Sequence, residues 1–432
     1  MKTTKNRIVN NYNSFTKKKY LPIILLLYWF CLTLFVFIFG PYYYNIQSTY
    51  LFYGYLVSIH IALLFGYMRG QRSSGRKCRL VYNYYSVVKY CIYISTIYLT
   101  VKLFIMGGSE LRNIRTTFIN ASLSYSANNP TNTSLFSYID MLFVPIQSIA
   151  LTNGIFCLKK IKKRQRILVI YIIIIIIGLS IGSATRSGIV QVAIILFAAL
   201  MLGVYKKNYV IKRYQKILIV LTISLLIVLF FSYFSLLNMT RGGYSAINPL
   251  TQESPVNDNI FYKIFDSSMR PLINSVSFYM SHSYYRLNQA LNLPFKGVGF
   301  GLSGSYFIMR NVISITGWKW LEDVSYGLRL DKELGSGYGL YWSTFYTWIA
   351  SDFSFIGTIF IIYFIGYYFS LAMRDSLNYL NPFAVATFCN LFYFIFHFVF
   401  NNPLQDGSGI TVYLGVPIIW LLLRKHQFSV RK

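Results

Sequence analysis

Apolar residues run in blocks of about twenty along most of this chain, separated by short stretches rich in Lys and Arg. An α-helix needs about 20 apolar residues to cross hydrocarbon about 30 Å thick. Ten blocks meet that length or come near it: 21–40, 50–68, 86–106, 135–157, 167–184, 188–205, 217–237, 355–373, 383–400 and 410–423, the last being the shortest. Between Asn238 and about Tyr341 the pattern breaks into a long, mostly polar stretch that holds seven of the twelve acidic residues. The predicted architecture is an all-α polytopic membrane protein of about ten spans with one large loop. It divides into a seven-span region (1–237), the loop (238–353) and a three-span region (354–432), together one integral membrane domain.

Within the loop, the apolar positions Leu272, Val276, Tyr279, Met280, Leu287 and Leu291 repeat at helical spacing, with Pro271 tolerated in the first turn. This predicts an amphipathic helix over 271–291, lying on or in the membrane surface. Another face of it carries Ser275, Phe278, His282, Arg286 and Gln289. His282 and Arg286 are four apart, which makes their side chains neighbours. The run Lys296-Gly297-Val298-Gly299-Phe300-Gly301-Leu302-Ser303-Gly304 follows. Closely spaced glycines can turn backbone N–H groups toward an anion, although a flexible turn is the simpler reading. No βαβ unit surrounds the run, so it is not a dinucleotide fingerprint.

Composition agrees with a membrane protein: 55% hydrophobic, 12% charged and a mean hydropathy of +0.48 over 432 residues. The net charge of +29 does not imply nucleic acid. With the N-terminus in the cytoplasm, the inner stretches 1–20, 69–85, 158–166, 206–216, 374–382 and 424–432 hold 27 of the 41 Lys and Arg residues, with a single acid, Asp375. That is the positive-inside bias. Both termini are then cytoplasmic and the large loop faces outward. The first apolar run follows a basic tail and lacks a small-residue cleavage site, so it reads as an uncleaved signal-anchor. None of the five cysteines falls in the loop, and no Cys/His spacing suggests a metal site.

Several ionisable residues stand near the outer rim. The tight turn Gly182-Ser183-Ala184-Thr185-Arg186-Ser187-Gly188 carries a lone arginine among small neighbours, placed to meet an anion or to reach lipid phosphate. Asp140, at the end of the fourth span, reads as a partner for Arg112 or Arg115. Lys89 and Lys102 read as snorkelling side chains. Asp352 reads as a helix N-cap or a carboxylate at the mouth of span eight. His60 and His397 read as packed histidines.

The turn Ser-Ala-Thr-Arg-Ser-Gly at 183–188, the single large outer loop, and Trp-Ile-Ala-Ser-Asp-Phe-Ser-Phe-Ile-Gly at 348–357 together resemble the O-antigen polymerase (Wzy) family, related to the O-antigen ligases. Some members carry an Arg-x10-Gly pattern in two outer loops. Here Arg286 and Gly297 match it, whereas Arg186 is followed at the corresponding position by Phe197. The resemblance implies a metal-independent, cofactor-free glycosyltransferase of a bacterial inner membrane. Such an enzyme transfers a growing glycan from undecaprenyl pyrophosphate onto a new lipid-linked repeat unit at the periplasmic face. Its partners would be that lipid-linked oligosaccharide, membrane lipids, and a chain-length regulator and flippase.

On that reading Arg186 and Arg286 bind the pyrophosphate, with Arg241 and Arg270 as lesser candidates. His282 is the first choice of general base and Asp352 the second. The alternative within the class is a ligase acting on lipid A-core. The alternative from another class is a polysaccharide transporter or flippase. Ionisable residues gathered at the rim, and the lack of an internal repeat, disfavour the latter.

Overall fold

The computed structural model describes residues 19–73, 79–107, 135–183, 185, 187–206, 208, 232–234, 247–334, 342–379, 381–424 and 426–429. Most of the expected span 217–237, the basic tail 1–18, Arg112, Arg115, Arg186 and Arg241 lie outside the described residues.

The membrane part comprises α1 (Leu21–Phe39), α2 (Thr49–Arg72), α3 (Tyr84–Gly107), α4 (Leu135–Phe156), α5 (Lys163–Gly182) and α6 (Ser187–Tyr205). The loop contributes α7 (Arg270–Leu291), α8 (Tyr306–Thr316) and α9 (Tyr326–Leu334). The long α10 (Phe345–Tyr379), α11 (Pro382–Phe396) and α12 (Val416–Leu423) complete the bundle. Eight helices among the described residues are long and apolar enough to cross a membrane. The expected last span appears as Gly407–Leu423, a shorter apolar helix loosened by a π turn over Thr411–Gly415. The fold is thus that of an all-helical, multi-pass membrane protein. One short parallel strand pair, Arg79–Asn83 with His426–Ser429, joins the segment after α2 to the segment after α12.

The centre of the bundle is α11. The Pro382–Val399 stretch is 83% buried, against 28% for α5. Polar clamps hold its neighbours in register: Ser148 Oγ donates to Asn390 at 2.8 Å, and Asn153 Nδ2 donates to the Pro382 carbonyl at 2.9 Å. Tyr84 reaches the same asparagine at 2.7 Å. Between helices in hydrocarbon such bonds supply the association that a hydrophobic driving force cannot.

Helices α2 and α10 pack backbone to backbone because glycine lines the seam. A Cβ at Gly66 would lie 1.9 Å from the Tyr363 carbonyl oxygen, and one at Gly366 would lie 2.3 Å from that of Leu63. In α10, Ser354 adopts φ 64°, which separates a first segment, buried over 345–352, from the long apolar remainder.

Helix α7 occupies the residues that the periodicity marks, but not the surface position expected of it. It packs on α1 with its polar face turned inward. His282 is 3% and Arg286 1% exposed, and Asn274, Ser277, Ser281 and Asn288 are buried beside them. The reason is a set of specific partners. Tyr44 and Ser281 hydroxyls meet at 2.8 Å, Tyr284 and Thr33 at 2.9 Å, and Asn288 Oδ1 accepts from Gln47 N at 3.0 Å. Each buried polar group that is satisfied this way removes the penalty that would otherwise keep the face in water.

Candidate functional site

At the loop end of the bundle a polar cavity of about 510 Å³ opens among α3, α4, α6, α7, α11 and the 400–413 segment. His282 and Tyr279 enter it from α7, Tyr393 from α11 and His397 from the turn just after it, and Lys102 and Asp140 from α3 and α4. Thr185 and Ser187, the residues on either side of Arg186 in the sequence, line it as well.

His282 is held in one tautomer. Its Nδ1 lies 2.9 Å from the Phe278 carbonyl, which can only accept, so Nδ1 carries the proton and Nε2 keeps its lone pair. The nearest hydroxyl, that of Ser283, donates instead to the Phe400 carbonyl at 2.8 Å. Phe278 stacks on the ring at 4.9 Å. Burial, reinforced by the positive charge of Arg286, drives the imidazole down to about 4, so it is neutral at ordinary pH. A neutral, oriented imidazole facing a polar cavity has the attributes of a proton acceptor.

Among the described residues Asp140 finds its partner on α3, while Arg112 and Arg115, its expected partners, lie outside them. Lys102 Nζ lies 2.7 and 2.8 Å from its two carboxylate oxygens, and the Tyr98 hydroxyl donates to it as well. Lys102 is therefore an ion-pair partner, not a snorkelling side chain. Across the cavity Asp406 caps the Gly407–Ile410 turn through Gly409 N, and Gln191 Nε2 donates to the Tyr413 hydroxyl at 2.8 Å. His397 stacks on Tyr393 at 5.2 Å. His397, read from the sequence as a packed histidine, lines the cavity, as do Asp406 and Gln191, which sequence reasoning did not single out. The dense polar run Asn401–Gly409 between two apolar blocks was the available signal.

The other expected site residues lie elsewhere. Arg286 is buried against Asp331 of α9, to which its guanidinium donates, and it does not line the cavity. Close by, Arg329 donates to Glu333 at 2.8 Å and to the Pro294 carbonyl at 2.9 Å. This ion-paired layer ties α9 to the C-terminal end of α7. Arg270, at the start of α7, places its guanidinium over the Tyr262 ring at 5.0 Å, also away from the cavity.

Asp352 is no N-cap. It accepts from Ser303 N at 2.8 Å and Gly304 N at 2.9 Å. The glycine-rich run does wrap an anion, and the anion is this carboxylate. A Cβ at Gly304 would lie 2.2 Å from Asp352 Oδ2, which is why glycine stands there. Gly297 adopts φ 130° beside Val324. Asp352 faces a second, apolar groove of about 350 Å³ between α10, α11 and α12, lined by residues such as Ile361, Ile365, Leu414 and Trp420. Tyr413 borders both the groove and the polar cavity. Among the described residues no group of three or more His, Cys, Asp or Glu side chains is arranged to hold a metal ion.

Fold and cavity together define a polytopic helical membrane protein with a polar chamber at one end of its bundle. Comparison with protein-family models, curated proteins and solved structures gives no match.

Proposed function

We propose that the chain is an oligosaccharide repeat-unit polymerase of about ten spans, working at the periplasmic face of a bacterial inner membrane, with the 238–353 segment as its large periplasmic loop. The observation that carries the reading is the convergence of a tautomer-fixed, neutral His282 and the two residues flanking Arg186 on one polar cavity. In the proposed step an acceptor hydroxyl gives its proton to His282 Nε2 as its oxygen attacks the anomeric carbon of the donor glycan. The anomeric carbon–oxygen bond breaks, and polyprenyl diphosphate leaves with the electron pair. Charge grows on that leaving group in a partly dry site, where a fixed cation stabilises it strongly. The anionic group would also raise the proton affinity of the neighbouring imidazole.

Arg186 is the cation assigned to the diphosphate. The described lining offers only Lys102, and Asp140 already neutralises it. The adjoining apolar groove, which follows α10 into membrane depth, suits an isoprenoid tail. Arg286 is withdrawn from the diphosphate on this reading and keeps a positioning role for α7.

The test is elongation of a lipid-linked repeat unit by the purified protein in detergent. Wild type should build a ladder of polymer lengths, and Arg186→Ala and His282→Ala should leave single units unextended. Normal ladders from both variants would refute the assignment. Transfer only onto lipid A-core would make the protein a ligase, and no transfer to either acceptor would leave the flippase reading.

A further inference from the structure

A third cavity, of about 560 Å³, lies between the α1–α2 turn and the 256–260 segment and shares no lining residue with the polar chamber. Its walls are built by contacts distant in sequence. Asn259 Nδ2 donates to the carbonyls of Phe39 at 3.0 Å and Gly40 at 2.9 Å, and Val256 N donates to that of Pro41 at 2.8 Å. Four tyrosines line it, Tyr42, Tyr43, Tyr44 and Tyr53, together with Asn45 and Asp258.

We propose that this cavity is a saccharide-binding site that holds the glycan beside the transfer chamber. The assignment to a growing chain rests on the polymerase reading above, whereas the affinity for sugar does not. Aromatic rings accept the C–H faces of a pyranose, and phenol, amide and carboxylate groups meet its hydroxyls. Tyr43 is 63% exposed and presents its ring to a ligand. Among the described residues no Lys or Arg lines the cavity, and its one carboxylate, Asp258, pairs with Lys263 at 2.8 Å. A diphosphate or an anionic headgroup therefore finds no complementary charge, and a neutral polyol does.

Location completes the argument. Tyr42 sits edge-on to Phe278, which in turn stacks on His282. Tyr44 is anchored to Ser281 of the same helix. Tyr42 and Tyr44, which line this cavity, thus rest on the helix that carries His282 into the polar chamber, so a chain held in one stays near the other between additions.

The probe is the repeat-unit oligosaccharide freed from its lipid by mild acid, tested by saturation-transfer NMR on the full chain in phosphatidylglycerol nanodiscs. Wild type and Tyr43→Phe should bind it. Tyr43→Ala should bind about tenfold more weakly and give shorter polymer. Thermal unfolding of each variant separates lost binding from lost folding. Undiminished binding and length in a folded Tyr43→Ala would overturn the proposal, as would sugar contacts absent from wild type or replaced by lipid headgroup contacts. Should wild type bind the sugar yet transfer nothing, the polymerase reading fails while the saccharide site stands. His282→Ala, outside this cavity, should lose transfer and keep binding.

Discussion

The buried pair Arg286–Asp331 offers a direct way to separate a structural arginine from a substrate-binding one. Both side chains are nearly inaccessible, 1% and 8% exposed, and the bond joins α7 to α9 across 45 positions of sequence. Removing one partner strands the other charge out of water, which costs about 3–5 kcal/mol. Replacing both by apolar side chains of similar volume is often neutral, or stabilising by about 1–4 kcal/mol. Arg286→Met and Asp331→Leu should therefore each lower stability by several kcal/mol, and the double variant should recover most of the loss. Equilibrium unfolding in mixed detergent micelles, run as a double-mutant cycle, measures the coupling. On the polymerase reading, elongation assays on the same samples should show activity following folded protein and returning in the double variant. The reasoning is refuted if Arg286→Met is as stable as wild type to within about 0.5 kcal/mol yet makes no polymer. Arg286 would then act on the diphosphate, as the sequence pattern suggests.

Three further outcomes are expected. Gly66→Val would force a side chain into the Tyr363 carbonyl and should cost at least the 1–3 kcal/mol of ordinary overpacking; Gly54→Ala, with nothing within 4 Å of its new Cβ, should be neutral, and the yield of folded protein in detergent checks both. Asp352→Ala leaves the Ser303 and Gly304 amides without their acceptor, at about 1–3 kcal/mol each, so hydrogen exchange over 299–304 should quicken; an altered acid limb of the rate profile in a variant whose exchange is unchanged would instead restore Asp352 as a base. The neutral burial of His282 contributes stability that is complete above its ordinary 6.5 and is lost as pH falls toward about 4. That loss is roughly 3 kcal/mol at 1.36 kcal/mol per pH unit, and His282→Gln should flatten the dependence between those values in a pH series of unfolding curves.

How much of this was legible in the sequence depended on whether the deciding interaction was local. Hydrocarbon forces every backbone polar group into helix bonds, so length and apolarity alone locate the spans. The periodicity of 271–291 likewise located α7. The tautomer of His282 is set by a carbonyl one turn away on its own helix, and its candidacy follows from that local geometry. Burial, by contrast, depends on residues far off in the chain. Tyr44, Gln47 and Thr33 satisfy the polar face of α7 and draw it inward, and nothing in the spacing of 271–291 announces them. Lys102 and Asp140 were each assigned a separate fate because their encounter joins two spans.

The two anion-seeking features of the loop show the same limit more sharply. A glycine-rich run offered backbone amides for an anion, and a carboxylate at the mouth of a span was the second choice of base. Each satisfies the other: the glycines let the backbone close on Asp352, and its oxygens take up the amides that a phosphate would have used. Arg286 and Asp331 cancel in the same fashion. Once these internal pairings are removed, what remains of the ionisable groups facing the chamber, among the described residues, is the imidazoles of His282 and His397, a neutralised Lys102–Asp140 pair and the carboxylate of Asp406. Such a lining does not attract a diphosphate by itself. On the polymerase reading proposed above, affinity for a diphosphate is assigned to Arg186, which stands between Thr185 and Ser187 in the sequence, and Arg186→Ala is the variant that decides it.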